Sequence, residues 1–315
     1  MKHFKTEDFV LESGTKISDV NIAYQIFGDF SPSKKIVWVC HALTANSDVE
    51  DWWNGLFGKN NLFNSEKYTI ICANILGSCY GTSFKSEENL PIISIRDMVE
   101  MHQRLADFLE ISKIDFLLGG SLGGMQALEW SVTNPDFIKN LFVIATNAKH
   151  SPWGIAFNEA QRMALHSGEN GIEAARAIAL LSYRNYETFN ETQKDDEEKL
   201  NHFRASSYQN YQGEKLKKRF TNESYWMLSK SMDTQNLGRN RTSIENALSK
   251  IKAKTLVIGI ESDLLFPVSE QKYLAKNIKN AKFEIIKSLY GHDGFLLETE
   301  KISELLKNHF EDLKS

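Results

Sequence analysis

Cysteine is scarce in this 315-residue chain: three residues, Cys40, Cys72 and Cys79, an odd number without regular spacing. A disulfide scaffold is excluded, and a reducing compartment, the cytoplasm, is expected. Proline (5) and glycine (18) are too few for a collagenous, linker-rich or disordered chain. No apolar run reaches the roughly 18 residues of a membrane span, and MKHFKTEDFVLESG has neither the apolar stretch nor the cleavage site of a signal peptide. Lys and Arg (37) do not outnumber Asp and Glu (41), so no broad basic field is offered to nucleic acid. There is no His-x-x-x-His, no Cys-x-x-Cys and no calcium-loop spacing, so no metal site is expected.

What remains is an ordinary globular composition, 42% hydrophobic and 25% charged, long enough to bury a large core. Short unalternating apolar runs recur at Lys35–Cys40, Tyr68–Asn74, Asp115–Gly119, Leu141–Thr146, Thr255–Ile260 and Lys282–Ile286. Such runs suit strands buried on both faces. Helical patterns separate them: Ser94–Glu110, Met125–Val132, Pro267–Ile278 and Lys301–Phe310. The alternation predicts an α/β fold, a mostly parallel sheet covered by helices. Asn21–Phe27 is expected to add an edge strand.

Between about 148 and 252 the rhythm stops. Helices are expected at Phe157–His166, Gly171–Leu181, Thr192–Tyr208 and Glu223–Met232, forming a helical lid inserted into a core of residues 1–147 and 253–315. The charge runs KDDEEK (194–199) and KLKKR (215–219) read as solvated helix faces, although the basic one also suits an anionic ligand.

The strongest local signal is Gly119-Gly-Ser121-Leu-Gly123-Gly, between a strand and a helix. It has the form of a nucleophile elbow, in which glycines permit a turn too tight for side chains. The helix that follows aims backbone N–H groups at developing negative charge. A serine nucleophile needs a base, and the base needs an orienting carboxylate. His292 follows the last strand and Asp263 follows Thr255–Ile260, giving the order Ser121…Asp263…His292 that α/β-hydrolases use. His41 and His150 also follow strands, but His41 is read as a packing residue of its loop. His3, His102, His166, His202 and His309 are read as structural or surface groups, and Trp52 and Trp53 as packing. The loop after Lys35–Cys40 supplies one oxyanion donor in this fold, here the backbone N–H of Leu43. Leu122, next after the serine, supplies the other. These residues imply acyl chemistry through a serine ester. They leave open whether water or an alcohol receives the acyl group.

Several stretches carry a closer likeness. They are His41-Ala-Leu-Thr, Asn74-Ile-Leu-Gly-Ser-Cys-Tyr-Gly81, Ser94-Ile-Arg-Asp-Met-Val99, Gly119-Gly-Ser-Leu-Gly-Gly-Met-Gln-Ala-Leu-Glu-Trp130, Ile155-Ala-Phe-Asn-Glu-Ala-Gln-Arg162 and Gly291-His-Asp-Gly-Phe-Leu-Leu-Glu298. In these the chain resembles the homoserine O-acetyltransferases, over nearly its whole length. The resemblance implies an α/β-hydrolase fold and ping-pong transfer of an acetyl group from acetyl-CoA to L-homoserine, a step of methionine biosynthesis. It implies acetyl-CoA as a substrate, no bound cofactor, and a homodimer with the lid helices as the contact surface. It also implies that Arg176 binds the acceptor's carboxylate and Asp293 its ammonium group. A zwitterion entering a dry cleft does need one fixed charge of each sign. The chain departs from the family between the first two lid helices, where only Ser167–Asn170 stand in place of a longer Gly- and Tyr-rich loop. It also departs at Arg219-Phe-Thr-Asn-Glu-Ser-Tyr225, where the family has Arg-Phe-Asp-Ala-Asn-Ser-Tyr, and in a shorter loop after Gly81. Relatives that use succinyl-CoA or serine, an esterase, and a noncatalytic binding module remain the alternatives.

Overall fold

The computed structural model describes residues 1–313. Its strands, in chain order, are β1 (Lys2–Lys5), β2 (Phe9–Val10), β3 (Lys16–Phe27), β4 (Lys35–Cys40), β5 (Tyr68–Ala73), β6 (Ser83–Ser86), β7 (Ile114–Gly120), β8 (Ile138–Ile144), β9 (Lys254–Ile260) and β10 (Ala281–Ile286). One sheet runs β1-β3-β5-β4-β7-β8-β9-β10, with β2 and β6 also paired to β3. The strands from β5 to β10 along this order are parallel to their neighbours, and β3 joins β5 antiparallel. The expected edge strand is therefore longer than Asn21–Phe27, and it is not an edge. β1 covers it, with Lys2 opposite Tyr24.

The helices are α1 (Val49–Trp52), α2 (Ile95–Phe108), α3 (Leu122–Thr133), α4 (Pro152–Leu165), α5 (Gly171–Tyr183), α6 (Tyr186–Thr192), α7 (Arg204–Lys217), α8 (Asn222–Asp233), α9 (Ile244–Ser249), α10 (Val268–Asn277), α11 (Gly294–Leu297) and α12 (Thr299–His309). None is long and apolar enough to cross a membrane among the described residues. Strand pleating divides the apolar runs between two faces. On β4, Trp38 and Cys40 join the core with Met98, Leu105, Leu128 and Trp130 of α2 and α3. Val37 and Val39 face the other layer, with Trp53, Phe116, Phe142, Ile302 and Leu306. Burying Ile302 and Leu306 stabilises the fold by about 1.5–3 kcal/mol each and fixes α12 to the sheet. α2 begins at a capping box, in which the Ser94 side chain accepts from Asp97 N–H while Asp97 accepts from Ser94 N–H.

Between β8 and β9 the chain is helical from α4 to α9. One expectation there fails: most of the helix placed at Thr192–Tyr208 is the loop between α6 and α7. Asn185 caps α6 by accepting from Thr188 N–H. The segment 193–203 is not helical, and His202 takes a positive φ of 59°. KDDEEK is thus a loop rather than a helix face, tied by the pairs Lys199–Asp195 and Arg204–Asp196. Pro267 is the cap of α10 rather than its first helical residue.

Candidate active site

The chain passes from β4 to β5 on one side and returns to β7 on the other. In open α/β sheets ligands bind outside the carboxyl ends of the strands at such a switch point. Ser121 sits there, between the end of β7 and the start of α3. Its φ of +56° and ψ of −124° are sparsely populated for a residue with a side chain. Tight packing enforces the turn. A Cβ on Gly119 would stand 2.2 Å from the Gly123 carbonyl oxygen, and one on Gly123 would stand 2.0 Å from that of Cys40. Only glycine fits either position. Ser121 N–H donates to Ile144 O (3.1 Å) and its carbonyl accepts from Thr146 Oγ1 (2.9 Å), which leaves the side chain free to project.

His292 follows β10, and its Nε2 lies 2.9 Å from Ser121 Oγ. Its Nδ1 lies 2.7 Å from Asp263 Oδ2, in the turn after β9. The other oxygen of Asp263 accepts from the N–H groups of Leu265 (2.8 Å) and Phe266 (2.9 Å), so the carboxylate is aimed before any ligand arrives. All three side chains are buried, and the imidazole packs among the rings of Tyr183, Phe266 and Phe295. Burial pulls the His292 pKa down. The charge and hydrogen bond of Asp263, helped by Asp293, outweigh it, and the net shift is upward. The structure thus brings Ser121, Asp263 and His292 into one hydrogen-bonded chain from strands far apart in sequence.

The other candidate residues surround the same place. Leu43, Arg176 and Asp293 line a cavity of about 610 Å³ that reaches Ser121 and His292. The Leu43 N–H makes no hydrogen bond among the described residues. Leu122 is the first residue of α3, so its N–H precedes the helix ladder. The Arg176 guanidinium lies 5.6 Å from the centre of the Tyr183 ring and has no carboxylate partner among the described residues. Asp293 is not a bare carboxylate: Arg184 Nε stands 3.0 Å from its Oδ2.

His41 and His150 share the carboxyl edge but are turned to other partners. His41 Nε2 accepts from Ile75 N–H (3.2 Å) and its Nδ1 bonds Ala42 O (2.8 Å). Burial pushes its pKa down to about 4, the Ala42 bond only partly opposing this, so the ring is neutral. His150 pairs with Asn158 (3.2 Å), and burial lowers it to about 4 as well. Among the described residues no three His, Cys, Asp or Glu side chains are grouped to hold a metal ion.

One cavity residue escaped the sequence reading, and two others answer to its second alternative for the basic run. Tyr183 stands between Arg176 and His292, and burial pushes its phenol up to about 12. Lys215 and Arg219, read first as a solvated face and otherwise as meeting an anionic ligand, line the cavity, while their neighbour Lys217 pairs with Glu173 (3.2 Å). Arg219 donates to Thr44 O (2.5 Å) and Tyr80 OH (2.7 Å), linking the helical segment to the loop after β4. The signal available was the basic run itself, at the spacing that puts residues 215 and 219 on one helical side.

The α/β-hydrolase fold family matches residues 35–299. The homoserine O-acetyltransferase of Cyclobacterium marinum is 41% identical over 96% of this chain and 93% of its own length. That of Nostoc punctiforme is 38% identical over 97% and 94%. This chain belongs to the homoserine O-acetyltransferase family. Among solved structures, the homoserine O-acetyltransferase of Staphylococcus aureus superposes with a TM-score of 0.85 at 30% identity, covering 98% of this chain and 94% of that one. An esterase, E22, superposes equally well, at 0.87 over 98% of both chains, but at 16% identity it shares the fold alone.

Proposed function

We propose that the protein transfers an acetyl group from acetyl-CoA to the hydroxyl of L-homoserine, a step of methionine biosynthesis, through an ester on Ser121. The carrying observation is the hydrogen-bonded chain Asp263–His292–Ser121 opening onto a cavity that also holds Arg176, which has no carboxylate partner among the described residues. Membership in the family supports the choice of substrates.

In this reading His292 Nε2 takes the Ser121 proton as Oγ attacks the thioester carbonyl. The Leu43 and Leu122 amides receive the oxyanion. His292 returns the proton to the leaving thiol and CoA departs. The homoserine hydroxyl then loses its proton to His292 and attacks the acyl-serine, and as the intermediate collapses His292 returns the proton to Oγ, restoring Ser121 and releasing the O-acetyl ester. Asp263 holds the ring and stabilises the imidazolium in both halves. Arg176 binds the acceptor carboxylate, and the free oxygen of Asp293 binds the ammonium group. CoA is a substrate, and no cofactor is needed.

We propose further that residues 148–252 act as a lid on the core of residues 1–147 and 253–315, keeping water from the acyl-serine so that the alcohol wins. The protein would work in the cytoplasm as a homodimer, with exposed Met163 and Tyr211 of the helical segment at the contact. Thiol release from acetyl-CoA tests the activity. Release that depends on L-homoserine is expected. Equal release without an acceptor would make the protein an esterase, and none at all a binding module. Serine and succinyl-CoA are the control substrates.

A further inference from the structure

Every residue of α3 from Leu122 to Val132 is buried, so each polar side chain among them requires a partner. Glu129 meets Arg96 and Arg241 at the surface end of the helix. Gln126 has no charge to meet. Its Nε2 donates to the carbonyl oxygens of His41 (3.2 Å) and Leu122 (3.1 Å), and its Oε1 accepts from His102 Nε2 (2.9 Å). Both amide hydrogens are used. The His102 ring lies stacked on Trp130, with Trp38 edge-on to it.

The two carbonyls that Gln126 holds belong to the two segments carrying the oxyanion amides. Leu122 supplies one amide itself. The His41 carbonyl begins the Ala42–Leu43 loop that supplies the other. His41 extends the hold by one peptide. Because its Nε2 accepts from Ile75 N–H, the ring proton sits on Nδ1 and is donated to Ala42 O. That carbonyl shares a plane with Leu43 N–H and points the opposite way, so fixing the one aims the other.

We infer that Gln126 is the positioning residue of the oxyanion hole, its single amide tying the loop that presents Leu43 N–H to the helix start that presents Leu122 N–H. The inference rests on the oxyanion assignment proposed above. A buried amide with a merely structural role would change stability and leave the chemistry of folded protein unchanged.

The test is Gln126→Met in the full chain, which keeps length and removes every donor. Thermal midpoint, kcat and KM for acetyl-CoA, and the rate of Ser121 phosphonylation by a fluorophosphonate probe are compared with the parent. The probe builds charge on an oxygen in the same hole and needs neither thioester nor acceptor alcohol. Removing one oxyanion donor costs about 10²–10³ in kcat, and misplacing two should cost about 10- to 100-fold. We expect that fall in both kcat and phosphonylation, with KM within about twofold and the acid limb of the pH profile unmoved. A folded variant with both rates within twofold of the parent would overturn the inference. If Gln126→Met does not fold, His102→Phe takes its place, keeping the ring stack while removing the donor to Oε1. A fall of about 3- to 10-fold in both rates is expected, and unchanged rates would overturn the inference. A parent enzyme that is phosphonylated on Ser121 but ignores acetyl-CoA would remove the transfer reading alone, and the phosphonylation rates would still decide Gln126. Labelling elsewhere than Ser121 would remove both.

Discussion

The carboxyl edge of the sheet and the helical segment between β8 and β9 meet at one cavity but are built on opposite terms. At the sheet edge the reactive groups are buried and bonded to one another: Asp263 takes two backbone N–H groups, His292 takes Asp263, and Ser121 takes His292. On the helical segment the groups that face the cavity include Arg176 and Lys215, cations with no carboxylate partner among the described residues. The first arrangement is complete without a ligand, and the second is completed by one. We propose that bond making belongs to the sheet, where position matters most, and recognition of the acceptor's carboxylate to the helices, where an anionic group must enter and leave.

The largest effect should come from the sheet side. Ser121→Ala should lower turnover by about 10⁴-fold or more, because members of such a triad act as a unit. Normal turnover of this variant, or an acetyl group found on another residue, would show that the nucleophile is elsewhere. Arg219 joins the two regions. Arg219→Ala loses charge-assisted bonds to Thr44 and Tyr80, and kcat/KM for acetyl-CoA should fall about 10-fold. An unchanged value would mean that the link to the loop after β4 has no part in acylation.

How far the two regions were legible follows from the same contrast. Each triad member lies directly after an apolar run, so alternating strands and helices sufficed to bring Ser121, Asp263 and His292 to one edge. The glycines at 119 and 123 marked the turn because packing admits nothing else there. The helical segment offered no such markers. Its break at 193–203 was hidden because four of the six residues of KDDEEK, the Lys and Glu, are good helix formers, while His202, whose positive φ lies just before α7, is an ordinary loop residue by composition. The pairs Arg184–Asp293 and Gln126–His41 join residues 109 and 85 apart in sequence, and no local pattern carries such contacts. β1, β2 and β6 are two to four residues long and pair antiparallel, too short for a period to register. Arg176 and Asp293 were found only through likeness to a family.

Smaller effects sharpen the comparison. His292 must be neutral to act as a base, and its pKa is raised by Asp263 and Asp293 against the pull of burial. Activity should therefore fall as pH drops through a midpoint above the ordinary imidazole value of about 6.5. Asp293→Asn removes one raising charge and should move that midpoint down. An upward move would contradict the electrostatic account. The short connection at Ser167–Asn170 should let slightly more water reach the acyl-serine. Hydrolysis relative to transfer should be a few-fold higher than in relatives with a longer loop, measured as thiol released per acylated homoserine formed. A ratio no higher would show that this loop is not the water barrier.

Arg176→Ala divides the two regions most directly. Acylation requires no acceptor carboxylate, so the single-turnover burst of thiol from acetyl-CoA should keep its rate and amplitude. The acceptor step should slow by about 10- to 100-fold, the loss of a charge-assisted hydrogen bond in a dry site, with homoserine saturation shifted to higher concentration. A burst abolished by the substitution, or homoserine saturation left unchanged, would contradict the assignment of bond making to the sheet and carboxylate recognition to the helices.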